Sequence, residues 1–235
     1  MNNITRHRVQ GYPVWHITDA YQADTVKRWL DWYQNSGIRW GWHEQVGEPQ
    51  LSEPYKQAML MTPQEHTEVF GENPYIPEWN AEHQTDIQHE HRARIHVNLV
   101  TEGTQFVGHT DIPPLDTRNI LIALWFGTPC WDNPGGGFEL GEGAELHIPN
   151  QFNSMLMFPA QLWHRIPLFK GSEIRVTVYA SYLEHNTKGI RSWQDMRNCF
   201  DTDPVRQRQI AQHSLRTYGV NLPRLGKPKQ YPESK

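Results

Sequence analysis

Gly108-His109-Thr110-Asp111 places an imidazole and a carboxylate two residues apart. On a β-strand, positions i and i+2 project from the same face, so His109 and Asp111 converge on one point. A third donor, His164, follows Asp111 by 53 residues, in Leu162-Trp163-His164-Arg165. Two imidazoles and one carboxylate on one face of an octahedron form the donor set of non-haem Fe(II) oxygenases, leaving three positions open. An HxD pair alone arises by chance in many chains, and this one carries 13 histidines. The pair therefore needs support from elsewhere.

That support is Ile174-Arg175-Val176-Thr177-Val178-Tyr179. Strand alternation puts Arg175, Thr177 and Tyr179 on one face and the aliphatic residues on the other. A guanidinium fork and a hydroxyl sharing a face offer a charge-assisted site for one carboxylate. The competing reading is an edge strand with a solvated polar face, although such a face more often carries several Lys and Glu. A second cluster, His89-Glu90-His91 with His83 and His96 nearby, is a rival metal pair of cupin type, or else a polar strand edge.

The elements that must position these residues are short. Tyr12 to Ile17 alternates as a strand, and Val26, Trp29, Leu30 and Tyr33 form one apolar helical face that Gly37 would end. Ile38 to His43 reads as another strand. Thr62-Pro63-Gln64-Glu65 is a capping box with proline at N1, opening a short helix that stops at Gly71. Asn73 to Asn80 reads as a packed loop. From Arg92 the pattern becomes strands: Ile95, Val97 and Leu99 alternate with polar residues, and Thr104 to Asp111 is extended. Ile120 to Phe126 is continuously apolar, as in a strand covered on both faces. Phe138 to Leu140, Ala144 to Ile148, Met155 to Phe158 and Ile174 to Tyr182 follow between Gly, Pro and Asn turns. Such spacing without intervening helices indicates a β-sandwich or barrel. After Asn186 the chain reads as polar helix and then a Pro- and Lys-rich tail.

These residues resemble the Fe(II)/2-oxoglutarate-dependent dioxygenase superfamily, and within it the prolyl 4-hydroxylase-like branch. The likeness rests on His109-x-Asp111, Gly135-Gly136-Gly137-Phe138-Glu139-Leu140, the distal His164 and Arg175-x-Thr177, in that order, and more weakly on Trp15-His16-Ile17 leading into the helix near Tyr21 to Ser36. The resemblance implies a mainly β (α+β) fold: a double-stranded β-helix, jelly-roll or cupin-like, with N-terminal supporting helices and a C-terminal helical extension. Residues 1–91 would support the core, 92–185 would form it and 186–235 would extend it, as one structural domain. His109, Asp111 and His164 would be the catalytic metal ligands for Fe(II). Arg175 and Thr177 would bind 2-oxoglutarate. O2 would be the oxidant, with ascorbate as an accessory reductant. The implied activity is hydroxylation of an unactivated C–H bond with decarboxylation of 2-oxoglutarate to succinate and CO2. The substrate would be peptidyl (prolyl-type) or a small molecule. Related halogenases replace the carboxylate with a small residue, so Asp111 favours hydroxylation or desaturation. The sequence departs from the family in one respect. Relatives often supply a cosubstrate-binding tyrosine from an earlier strand, where this chain has Leu99 and Trp125. Asn98 and Thr104 are the alternative contacts.

Composition narrows the remaining functions. The 235 residues include 26 acidic and 22 basic side chains, a net charge of −4 that argues against a broad phosphate-binding surface. The basic excess is confined to Asn186–Lys235, with 10 Lys/Arg against 4 Asp/Glu. No long apolar run predicts a membrane span, and Cys130 and Cys199 read as free thiols of a cytoplasmic protein. Ten tryptophans are unusual. Trp125, Trp131 and Trp163 flank the metal donors and are candidate substrate-binding residues, with core packing as the alternative. A non-catalytic or differently metallated cupin-like binding protein is the competing function.

Overall fold

A computed structural model describes residues 3–35, 56–60, 63–100, 103, 108–112, 119–127, 136–170 and 174–184. The described elements run β1 (Asn3–Val9), β2 (Tyr12–Thr18), α1 (Ala23–Asn35), β3 (Lys56–Leu60), α2 (Pro63–Phe70), α3 (Ile76–His83), β4 (Ile87–Val100), β5 (Ile120–Phe126), β6 (Phe138–Leu140), β7 (Leu146–Ile148), β8 (Met155–Pro159), β9 (His164–Arg165) and β10 (Arg175–Glu184). A seven-stranded antiparallel sheet has the order β1-β2-β8-β5-β10-β4-β3, and a three-stranded sheet has the order β7-β6-β9. Their interleaved order is that of the expected double-stranded β-helix.

The inner strands β8, β5 and β10 of the large sheet are buried on both faces, and alternation along them sorts two cores. Trp15, Ile17, Val97, Leu99, Trp125, Met155, Met157, Val176 and Val178 face the helices, together with Trp29, Phe70 and Trp79. Val14, Val100, Ile122, Leu124, Phe126, Leu156, Phe158 and Tyr179 face the other way, among Phe138, Leu140 and Ile148 of the small sheet. This explains the unbroken apolar run of β5, whose seven residues are all buried.

Several expectations change here. The Asn73–Asn80 segment is not all loop, because α3 starts at Ile76. Pro77 suits a first helical turn, where its missing N–H costs nothing. The Asn73 side chain accepts from the Tyr75 amide at 3.0 Å, turning the chain into that helix. Strand β1 is unforeseen because it is a largely exposed strand at the sheet edge with no apolar alternation. The turn Gln10-Gly11, with φ of 50° and 84°, joins it to β2 as a hairpin with both central residues at positive φ. Strand β4 begins at Ile87, upstream of Arg92. Gly37, the Ile38–His43 strand, Cys130, Cys199 and the helix after Asn186 lie outside the described residues. No described helix is long and apolar enough to cross a membrane.

Under α2 the helix-side core encloses a polar pair. The Arg92 guanidinium donates to His66 Nδ1 at 2.9 Å and to Thr67 Oγ1 at 2.6 Å. Burial lowers the His66 pKa to about 3 from an ordinary 6.5, with Arg92 and His89 pushing the same way. The unfolded chain then takes up a proton that the folded chain refuses. Stability is therefore greatest above the ordinary pKa and falls as pH drops through the window down to about 3. His66→Gln, which keeps an acceptor for Arg92, is expected to lose less stability than the wild type between about pH 7 and about pH 5 in urea denaturation. Equal losses would contradict this account.

Candidate metal centre

Two hydrogen bonds join His109 to His164 across an antiparallel bridge: His109 N–H to His164 O at 3.0 Å, and His164 N–H to His109 O at 2.9 Å. Cross-strand partners place their side chains side by side, and the two imidazole centroids are 4.5 Å apart. The next peptide unit is tied down by Asp111 N–H donating to Ala160 O at 3.0 Å. Among residues 108–112 the expected extended stretch is reduced to the bridge at His109, and Asp111 lies in a bend just after it, with its carboxylate turned to the two imidazoles. Asp111 Oδ1 lies 3.8 Å from His109 Nε2 and Oδ2 lies 3.7 Å from His164 Nε2. All three residues offer a ligand atom within 4.8 Å of the other two.

The cluster is walled on one side and open on the other. The His164 side chain is 6% exposed and that of His109 is 47% exposed. Phe138 stacks on His164 at 5.3 Å and Phe158 meets it edge-on at 5.3 Å. The glycine-rich stretch before β6 thus delivers an aromatic wall. His164 Nδ1 donates to the Leu162 carbonyl at 2.9 Å, which leaves the Nε2 lone pair for a metal. Trp163 packs against Gly108, where an added Cβ would fall 1.6 Å from the indole, so only glycine fits beside His109.

Strand β10 supplies the facing wall. It lies between β5 and β4, and Arg175 through Leu183 are all buried, which overturns the solvated-edge reading. Arg175 is fully buried, donates to the Gly137 carbonyl at 3.4 Å and lies 5.3 Å from the Phe126 ring. Thr177 pairs across the sheet with Asn98. Among the described residues, neither Thr177 Oγ1 nor Asn98 Oδ1 has a hydrogen-bond partner, although both are buried. The sequence reading gave Tyr179 no role, yet its hydroxyl donates to Asp111 Oδ2 at 3.1 Å. The signal was present, since alternation had already put Tyr179 on the face of Arg175 and Thr177.

Of the three candidate tryptophans, Trp125 needs correction. Trp125 is on the helix side of β5, in edge contact with Trp29 at 5.5 Å and Phe70 at 5.2 Å, and its indole donates to Asn153. The sheet separates it from the triad, so it is a core residue and not a wall for substrate. Leu99 also faces the helices. Trp163 is 4% exposed and braces the His109 segment. Trp131 and Thr104 lie outside the described residues. Of the rival histidine cluster, His89 accepts from the Asn73 amide and stacks on Tyr182, and His83 packs on Trp79, while the His91 side chain lies outside the described residues. Among the described residues, His109, Asp111 and His164 are the group placed to hold a metal. Arg165 and His147 are exposed and lie beside Glu139, away from the triad.

No family model and no curated protein matches this chain. Solved structures of similar fold include a viral collagen prolyl hydroxylase from Paramecium bursaria Chlorella virus-1 in complex with 2-oxoglutarate. It is 10% identical, with 72% of this chain and 95% of that chain covered and a TM-score of 0.55. HygX from Streptomyces hygroscopicus, with nickel, 2-oxoglutarate and hygromycin B bound, is 8% identical over 74% and 83% of the two chains, with a TM-score of 0.56. A Trichoplax adhaerens prolyl hydroxylase bound to a hypoxia inducible factor peptide is 15% identical over 76% and 87%, with a TM-score of 0.52. At these identities the likeness is one of fold.

Proposed function

We propose that this chain is an Fe(II)- and 2-oxoglutarate-dependent dioxygenase that hydroxylates a C–H bond of a peptidyl or small-molecule substrate. The carrying observation is the convergence of His109, Asp111 and His164, met by Tyr179 of β10, with Arg175 and Thr177 on the same face of that strand. Imidazole and carboxylate donors without thiolate suit Fe(II). When bound, the iron and cosubstrate supply the oxidising chemistry, in which O2 is consumed, 2-oxoglutarate becomes succinate and CO2, and the substrate gains a hydroxyl.

The protein's own part is binding, orientation and exclusion of water. The Nε2 atoms of His109 and His164 and the Asp111 carboxylate would hold the metal. Arg175 and Thr177 would hold the far carboxylate of the cosubstrate, with Asn98 paired across the sheet from Thr177. A buried polar atom left without a partner costs about 1–3 kcal/mol, and a ligand carboxylate would relieve that cost at Thr177. Phe126, Phe138 and Phe158 keep this region dry, strengthening each charge-assisted contact. The structures of similar fold include a collagen prolyl hydroxylase, a prolyl hydroxylase in complex with a peptide fragment and HygX with hygromycin B bound, which supports a peptide or small-molecule substrate class.

The test is an anaerobic titration of the purified chain with Fe(II) and 2-oxoglutarate, followed by exposure to air. A weak visible charge-transfer band and succinate release are expected. With neither, the reading fails. A band without succinate release favours the non-catalytic cupin-like alternative. Succinate release screened over peptide and small-molecule pools then identifies the substrate.

A further inference from the structure

Tyr179 meets the metal donors from below. Its hydroxyl donates to Asp111 Oδ2 at 3.1 Å, the oxygen that faces His164. The other oxygen, Oδ1, faces His109. The Tyr179 ring lies flat against His96, its cross-strand partner on β4, at 4.4 Å and 16°. Both residues are more than nine-tenths buried, with Tyr179 at 7% and His96 at 6% exposed. The hydroxyl is thus carried on a ring with little freedom to turn away.

A carboxylate can bind a divalent metal through one oxygen or both. Two-oxygen binding would fill a fourth octahedral position and leave two, where a chelating cosubstrate and O2 together need three. We infer that Tyr179 is a positioning residue that engages Oδ2 and holds Asp111 as a one-oxygen ligand through Oδ1, with His96 fixing the angle of the phenol. The inference rests on the metal-centre reading above. It gives Tyr179 a purpose that packing alone does not require, because phenylalanine would fill the same space.

The test is Co(II) titration of the metal-free full chain, in the wild type, in Tyr179→Phe and in protein carrying 3-fluorotyrosine at position 179. Loss of an outer hydrogen-bond partner typically weakens metal affinity by about 10–100-fold, and Tyr179→Phe is expected to fall in that range with an altered visible Co(II) spectrum. The fluorinated residue is nearly isosteric and a stronger donor, so it should shift the same bands while leaving the melting curve unchanged. It decides the matter if the phenylalanine variant does not fold. Wild-type affinity in Tyr179→Phe, with an unshifted spectrum in every folded variant, would overturn the inference alone. A wild type that binds no Co(II) would overturn the metal-centre reading and the inference with it.

Discussion

Alanine at His109, Asp111 or His164 is expected to lower Fe(II)-dependent succinate formation by more than about 100-fold, because loss of a hydrogen-bond partner outside the ligand set already costs about 10–100-fold in affinity or activity. His109→Ala is the cleanest of the three. Its side chain is 47% exposed, so little packing is lost, and exposed substitutions usually change stability by about 0.5 kcal/mol or less. His164 also fills space between Phe138 and Phe158, and its alanine variant should lower stability as well as activity. The measurement is succinate release at saturating Fe(II), paired with a thermal melt. Retained turnover in a folded His109→Ala protein would remove His109 from the ligand set. The same variant speaks to His89: if metal binding survived His109→Ala and vanished in His89→Ala, the site would lie elsewhere.

Arg175→Ala is expected to act on the cosubstrate and spare the metal. Truncating one partner of a buried, hydrogen-bonded charge pair costs roughly 2–5 kcal/mol, so the apparent Kd for 2-oxoglutarate should rise by about 30-fold or more. Fe(II) or Co(II) affinity should stay near wild type. Arg175→Lys should fall between, since it keeps the charge but loses the planar fork. An anaerobic titration of 2-oxoglutarate against the Fe(II)-loaded protein measures the effect. Unchanged cosubstrate affinity in the alanine variant would show that the guanidinium serves contacts within the fold, the Gly137 carbonyl and the Phe126 ring among them, and not the cosubstrate.

Much of the site is legible because it is written in local periodicity. Arg175, Thr177 and Tyr179 share a face of β10 through a spacing of two, whereas His109 and Asp111 converge across a bridge and the bend that follows it. Turn residues between short apolar runs indicate a β-sandwich or barrel, and the double-stranded β-helix is what the resemblance carried by four ordered motifs implies. What stayed hidden depended on partners remote in the chain. Helix α3 was masked by Pro77, which breaks a helix interior but fits a first turn. The edge strand β1 showed no alternation because most of its residues face water.

The tryptophan excess shows where the boundary falls. Trp125 sits beside Phe126 in sequence, yet Phe126 touches the guanidinium of Arg175 while Trp125 packs beneath Trp29 and Phe70. Alternation sorts such neighbours to opposite faces but does not say which face meets the other sheet and which meets the helices. Likewise, His164 is nominated as the third donor by the order of the motifs, and the bridge between the two segments supplies the physical contact. The amino-acid sequence by itself determined the donor types, their local faces and the class of fold. The tertiary structure decided which faces enclose the site and brought Tyr179 under Asp111, because a strand's period of two is a local property of the backbone. The layer that buries each face is set by strands paired from distant parts of the chain.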